Sequence, residues 1–118
     1  MGDMEPNCLD HLDDTALDAL PFGVVCLSPA GVVERFNRAE AERTGIQRWR
    51  ALGRDYFRDV AGPAGVELAA QLAELPPGES TRVHHTFRGY HRATEAEVDA
   101  ARCAAGRVYL CIRVKRAA

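Results

Sequence analysis

Apolar residues at Leu9, Leu12, Ala16, Leu17 and Leu20 alternate with acidic ones at near-helical spacing, which predicts a short amphipathic helix or two over 8–20. Asp14 suits the cap of the second, and Pro21-Phe22-Gly23 ends it. The pattern then changes to β-branched runs. Val24-Val25-Cys26-Leu27 and Val32-Val33-Glu34-Arg35-Phe36 flank Ser28-Pro29-Ala30-Gly31, whose proline in second and glycine in fourth place suit a type I turn, so a hairpin is expected. Asn37 opens a helix-forming stretch through Ala39, Glu40, Ala41 and Glu42 that closes at Thr44-Gly45. Trp49, Leu52, Tyr56 and Phe57, interrupted by Gly53, predict short irregular helices. Leu68, Leu72 and Leu75 at i, i+4 and i+7 mark a longer amphipathic helix over 65–75, between the turn Gly62-Pro63-Ala64-Gly65 and the break at Pro76-Pro77-Gly78.

Thr81 to Phe87 and Val108 to Val114 are strand-like runs, and the segment between them sets two signals against each other. The Ala and Glu content of Thr94 to Ala105 favours helix, yet Glu95-Ala96-Glu97-Val98-Asp99-Ala100 alternates strictly. Periodicity reports which face is buried, whereas propensity is easily overridden, so this segment is read as a strand. The resulting order predicts an α+β fold: an antiparallel five-stranded sheet with the short helices and one longer helix gathered on one face. Residues 1–20 are expected to form an acidic helical arm and 21–118 the domain proper.

Composition narrows the classes. A chain of 118 residues with 47% hydrophobic and 27% charged side chains is one ordinary globular domain. No apolar run approaches the ~20 residues of a membrane helix, and the N-terminus lacks the layout of a signal peptide, so a soluble cytoplasmic protein is expected. The formal net charge of −2 hides an asymmetry. Asp3, Glu5, Asp10, Asp13, Asp14 and Asp18 lie in the first twenty residues, which hold no Lys or Arg. Seven arginines (Arg35, Arg38, Arg43, Arg48, Arg50, Arg54, Arg58) fall within 35–58 beside Trp49, Tyr56 and Phe57. Without a lysine-rich run or a helix-turn-helix these read as a solvated face or a docking surface for an acidic partner rather than a nucleic-acid site. Cys8, Cys26, Cys103 and Cys111 contain no C-x-x-C pair and read as reduced thiols, Cys26 and Cys111 as small core hydrophobes. Cys8 and His11 lack evident partners for a metal site.

Several blocks together carry a resemblance: Asp13-Asp14-Thr15-Ala16-Leu17-Asp18-Ala19-Leu20-Pro21-Phe22-Gly23, Phe36-Asn37-Arg38-Ala39-Glu40, Thr44-Gly45, Gly53 to Ala61 with its Tyr56-Phe57-Arg58-Asp59-Val60 core, and His85-Thr86-Phe87. Over about residues 13–115 the chain resembles the photoactive yellow protein branch of the PAS sensor domains. That resemblance implies a PAS fold and a pocket between the sheet and its helices. The family's light sensor is a p-coumaric acid held as a thioester on a cysteine just after the block matching Asp59-Val60-Ala61, where this chain has Gly62-Pro63-Ala64-Gly65. A thioester needs a sulfur, so covalent p-coumaric acid is not expected. The family's hydrogen-bonding tyrosine falls at Phe36, while Glu40 and Thr44 match its pocket glutamate and threonine, and His85 and His91 replace a tyrosine and a methionine.

The implied ligand-binding set is Glu40, Thr44, Phe36, Val25, Tyr56, Val60, Phe87, His85 and His91. If Glu40 faces an apolar cavity lined by Val25, Phe36, Val60 and Phe87, desolvation favours its protonated form, able to donate to a ligand; the alternative is a solvated surface glutamate. Strand alternation sends His85 toward the helices with Val83 and Phe87, and His84 away. The sequence therefore points to a non-catalytic, stand-alone sensory or regulatory PAS domain that binds a small molecule non-covalently. Its output would pass through a homodimer formed by the N-terminal helix, or through a signalling partner. Two alternatives stay open: a haem-binding gas or redox sensor ligated by His85 or His91, and a small-pocket enzyme using Glu40 as acid or base.

Overall fold

The most apolar run in the chain, Val108–Val114, occupies the middle of the sheet, because only a central strand is covered on both faces. The computed structural model describes residues 8–62, 65–88 and 93–114. Strands β1 (Gly23–Leu27), β2 (Val33–Phe36), β3 (Ser80–Arg88), β4 (Ala93–Arg102) and β5 (Val108–Val114) pair antiparallel in the order β2-β1-β5-β4-β3. The disputed segment is strand β4, as its alternation indicated: Ala96, Val98 and Ala100 are buried, and Val98 faces Ile112 of β5. The hairpin closes at Ser28–Gly31, where Gly31 takes φ 89° and donates to the Ser28 carbonyl at 2.9 Å.

Helices α1 (Asp14–Asp18), α2 (Arg38–Thr44) and α3 (Arg48–Ala51), a π-helical turn at Tyr56–Val60 and helix α4 (Gly65–Ala73) complete the described elements. Among the described residues no helix is long and apolar enough to cross a membrane. Alternation along the strands divides the core into two. On the inner face Val25, Leu27, Phe36, Val98, Leu110 and Ile112 pack with Tyr56, Leu68 and Leu72 from the helical layer. On the outer face Val24, Cys26, Tyr109, Cys111 and Cys103 pack under Leu17, with Leu9, Leu12, Leu20 and Phe22 around them.

The N-terminal helix is shorter than its apolar spacing suggested. Only Asp14–Asp18 is helical, capped by Asp13 rather than Asp14: the Asp13 carboxylate accepts from the Ala16 amide at 2.8 Å. Residues 9–12 form a separate turn closed by the Leu12 amide donating to the Leu9 carbonyl at 3.0 Å, and Arg35 donates to the Leu9 and Leu12 carbonyls at 3.3 and 2.6 Å. The same guanidinium reaches Asp14 at 3.0 Å and the Tyr109 hydroxyl at 2.9 Å. Asp18 pairs with Arg48 at 2.7 Å and Asp10 with Arg107 at 3.0 Å. The acidic arm thus meets arginines of its own chain. A second correction concerns the thiols: Cys8 and Cys103, 95 residues apart, form a disulfide with a Cα separation of 5.2 Å. Cys26 and Cys111 are free and buried, as their apolar neighbours indicated.

Candidate functional site

Helix α2 begins where Asn37 turns its side chain back to cap it, and that cap also fixes the site. The Asn37 carbonyl oxygen accepts from the Glu40 amide at 3.1 Å and the Val24 amide at 2.8 Å. Its amide group donates to the carbonyls of Leu17 at 2.8 Å and Phe22 at 3.1 Å. One buried side chain therefore ties α2, β1 and the N-terminal arm together. Three residues on, Glu40 is carried inward and is fully buried. It lies against Gly23 of β1, where even a methyl group would collide with the Glu40 carboxylate, so the glycine makes room for it.

Burying a carboxylate requires compensation, and Arg43 one turn later supplies it. Its Nε donates to Glu40 Oε1 at 3.0 Å and its Nη2 to Oε2 at 2.5 Å. Glu40 is thus an acceptor in a two-pronged ion pair, not the hydrogen-bond donor in an apolar cavity that its sequence suggested. The i, i+3 spacing of Glu40 and Arg43 was the available signal. Thr44 does not join this group: its hydroxyl donates to the Glu40 carbonyl at 2.9 Å and accepts from Ile46 at 3.1 Å, closing the helix.

Arg43 extends the group toward β3. Its guanidinium lies 4.5 Å from the ring centroid of Phe87, which meets His85 edge to face at 4.6 Å. His85 points inward and is buried while His84 is exposed, as alternation required. Burial, the leading cause, holds the His85 imidazole below its ordinary pKa, with Arg43 acting in the same direction against Glu67. Tyr56 contributes a fully buried hydroxyl from the π-helical turn; burial first, then the nearby Glu40 charge, pushes its pKa upward. Among the described residues neither Tyr56 Oη nor His85 Nε2 has a hydrogen-bond partner. Val25 and Phe36 are core side chains below this group and Val60 packs at its margin, whereas His91 lies outside the described residues.

A cleft of about 540 Å³ opens beside the cluster, lined by Phe22, Gly23, Ala39, Arg43, Ile112 and Val114. Arg43 stands between this cleft and Glu40. All four cysteines belong to the outer-face group or its edge, on the opposite side of the sheet from Glu40.

No protein-family model matches the chain. It is 33% identical over 55 residues to the photoactive yellow protein of Rhodothalassium salexigens, a match that covers 47% of this chain and 44% of that one. The chain spans about half the length of the curated relatives it matches. Among solved structures, the photoactive yellow protein domain of the sensor histidine kinase Ppr from Rhodospirillum centenum superposes with a TM-score of 0.72 at 22% identity, covering 89% of this chain and 96% of that domain. The PAS domain of the Cronobacter turicensis RpfR quorum-sensing receptor, in complex with C12:0, gives 0.71 at 17% identity, covering 82% and 96%. The chain thus folds as a PAS domain, and the curated proteins it resembles in sequence are photoactive yellow proteins.

Proposed function

We propose that this protein is a sensory PAS domain that binds a small molecule non-covalently at the Glu40, Arg43, Tyr56, His85 and Phe87 cluster, reached through the cleft beside Arg43. The observation that carries the reading is the pair of buried polar atoms, Tyr56 Oη and His85 Nε2, left without partners next to an ion pair and an aromatic ring. Buried polar groups are nearly always hydrogen-bonded, so two unpaired atoms in one polar cluster call for a ligand oxygen or nitrogen. A molecule with an apolar body and one hydrogen-bonding head suits a wall made of Phe22, Ile112 and Arg43. The superposition on a PAS domain solved with C12:0 supports this class of ligand.

Covalent p-coumarate does not fit these residues, since no cysteine among the described residues lies on the inner face and all four cysteines belong to those described. Asn37 supplies the route outward: it caps the helix that carries Glu40 and holds the Leu17 carbonyl of the arm. A ligand that shifts α2 changes the seat of the arm, and through it the docking of a second copy or a signalling partner. Mass spectrometry of small molecules extracted from freshly purified protein, followed by thermal melting with each compound found, tests the reading. A bound compound should raise the melting temperature of the wild type and lose most of that effect in both Tyr56→Phe and His85→Phe. A compound that stabilises wild type and both variants equally, or the absence of any bound compound, counts against this site. A Soret band removed by His85→Phe would instead establish the haem reading.

A further inference from the structure

The four cysteines gather at the face of the sheet away from the ligand cluster, and they are not equivalent. Cys26 and Cys111 lie under the arm as buried thiols, pushed up to about 11 by burial, which makes them poor nucleophiles at neutral pH. Cys8 and Cys103 are joined to each other, one on the arm and the other just past the end of β4. Cys8 is half-buried and Cys103 buried, so an incoming thiolate meets the pair from the Cys8 side.

We propose that the Cys8–Cys103 disulfide is a redox-active modification site, opened by a dithiol reductant and closed by a disulfide oxidant, that sets how firmly the N-terminal arm is held on the outer face of the sheet. In the opening reaction a reductant thiolate attacks Cys8 Sγ, and Cys103 Sγ leaves as a thiolate and takes up a proton. The second reductant thiol then displaces Cys8 from the mixed disulfide. The chain gains two electrons and two protons as two thiols, and the reductant becomes a disulfide. Closing is the same exchange in reverse.

Two observations assign the arm as the element that responds. Its remaining attachments to the body include ion pairs of partly exposed side chains, Asp10–Arg107, Asp14–Arg35 and Asp18–Arg48, each of which contributes little. Among the described residues its one helix has five residues, too few to persist without the surface beneath it. Conversely, one ligand atom from Asp10 and the two sulfurs all lie within 4.8 Å of one another. Asp10 accepts from the Tyr109 hydroxyl at 2.6 Å and from Arg107 at 3.0 Å, contacts that bring Cys8 back to Cys103 whenever the arm is seated. Reoxidation is therefore intramolecular, which makes the site reversible.

The test uses the full chain equilibrated in stepped ratios of reduced to oxidised dithiothreitol, followed by native-state alkylation, mass spectrometry and amide hydrogen exchange. The oxidised protein should alkylate at none of its cysteines. Reduction should open Cys8 and Cys103 first, with Cys26 and Cys111 beneath the arm reacting more slowly, and raise exchange over 9–18 at least tenfold, with β5 unchanged. Cys8→Ser and Cys103→Ser should each show the faster exchange in both buffers. Alkylation of Cys8 and Cys103 in oxidised buffer, or exchange over 9–18 that ignores reduction, would overturn the proposal. Exchange rising equally in the arm and in β5 would also overturn it, showing a global staple instead. None of these readouts depends on a ligand at the inner cluster.

Discussion

Arg43 is where the inner cluster depends most on one side chain. Its guanidinium satisfies both oxygens of a carboxylate that has no access to water, so Arg43→Ala leaves an uncompensated buried charge and should destabilise the fold by about 3–5 kcal/mol. Replacing both members, Glu40→Met with Arg43→Leu, should recover most of that loss in denaturant titrations, because two apolar groups leave nothing unpaired. Tyr56→Phe goes the other way. Without ligand it removes a buried hydroxyl that has no partner, so the variant should be as stable as wild type or more so by about 1 kcal/mol, while ligand-dependent stabilisation falls. His85 adds a pH dependence. Its imidazole is held below the 6.5 of a free histidine, so the unfolded chain takes up a proton that the folded one resists. Stability should therefore fall as pH drops below about 6.5, levelling once the folded imidazole also protonates, and His85→Phe should remove that slope from urea midpoints measured between pH 7.5 and 5.

Helix α2 shows what the chain announces and what it conceals. Its limits were readable because they are local: Asn37 and Gly45 are neighbours in sequence of the groups they cap. The strands were readable for a similar reason, since a period of two records which face is buried, and it assigned β4 against propensity and His85 to the inner face. Charge pairing across distance was not. The Glu40–Arg43 pair was open to the sequence through its i, i+3 spacing, but the partnership of Asp10, Asp14 and Asp18 with Arg107, Arg35 and Arg48 exists only once the arm has folded back. The Cys8–Cys103 bond, whose ends are 95 positions apart, belongs to the same class. Asn37 combines both kinds of information, as a local cap and a long-range clasp. Asn37→Ala should cost more than the ~1 kcal/mol of an ordinary cap, about 3 kcal/mol, because the Val24 and Glu40 amides and the Leu17 and Phe22 carbonyls all lose their shared partner. Hydrogen exchange should then rise in both α1 and α2. A rise confined to α2 would show that the clasp on the arm contributes nothing.

One sheet with a core on each face gives the molecule two surfaces whose fates are joined through the strands between them. The inner core is covered by helices that follow β2 and precede β3, whereas the outer core is covered by the arm that precedes β1. We infer from this arrangement that residues 21–118 form a domain able to fold without the first twenty, since the inner core draws none of its described members from the arm. Removing residues 1–20 leaves Val24, Cys26, Tyr109 and Cys111 under no cover, a contiguous patch with apolar character of the kind that soluble monomers seldom leave open. The shortened chain should retain its β-sheet circular dichroism yet sediment as a dimer at concentrations where the full chain does not. It should return toward monomer when a peptide of residues 8–20 is added in excess. A shortened chain that is monomeric and folded would mean that the outer face has no partner of its own, and that any change passed on from the inner cluster runs through the arm itself. A shortened chain that is unfolded would place residues 1–20 inside the domain, and the two faces would then have to be treated as a single cooperative unit.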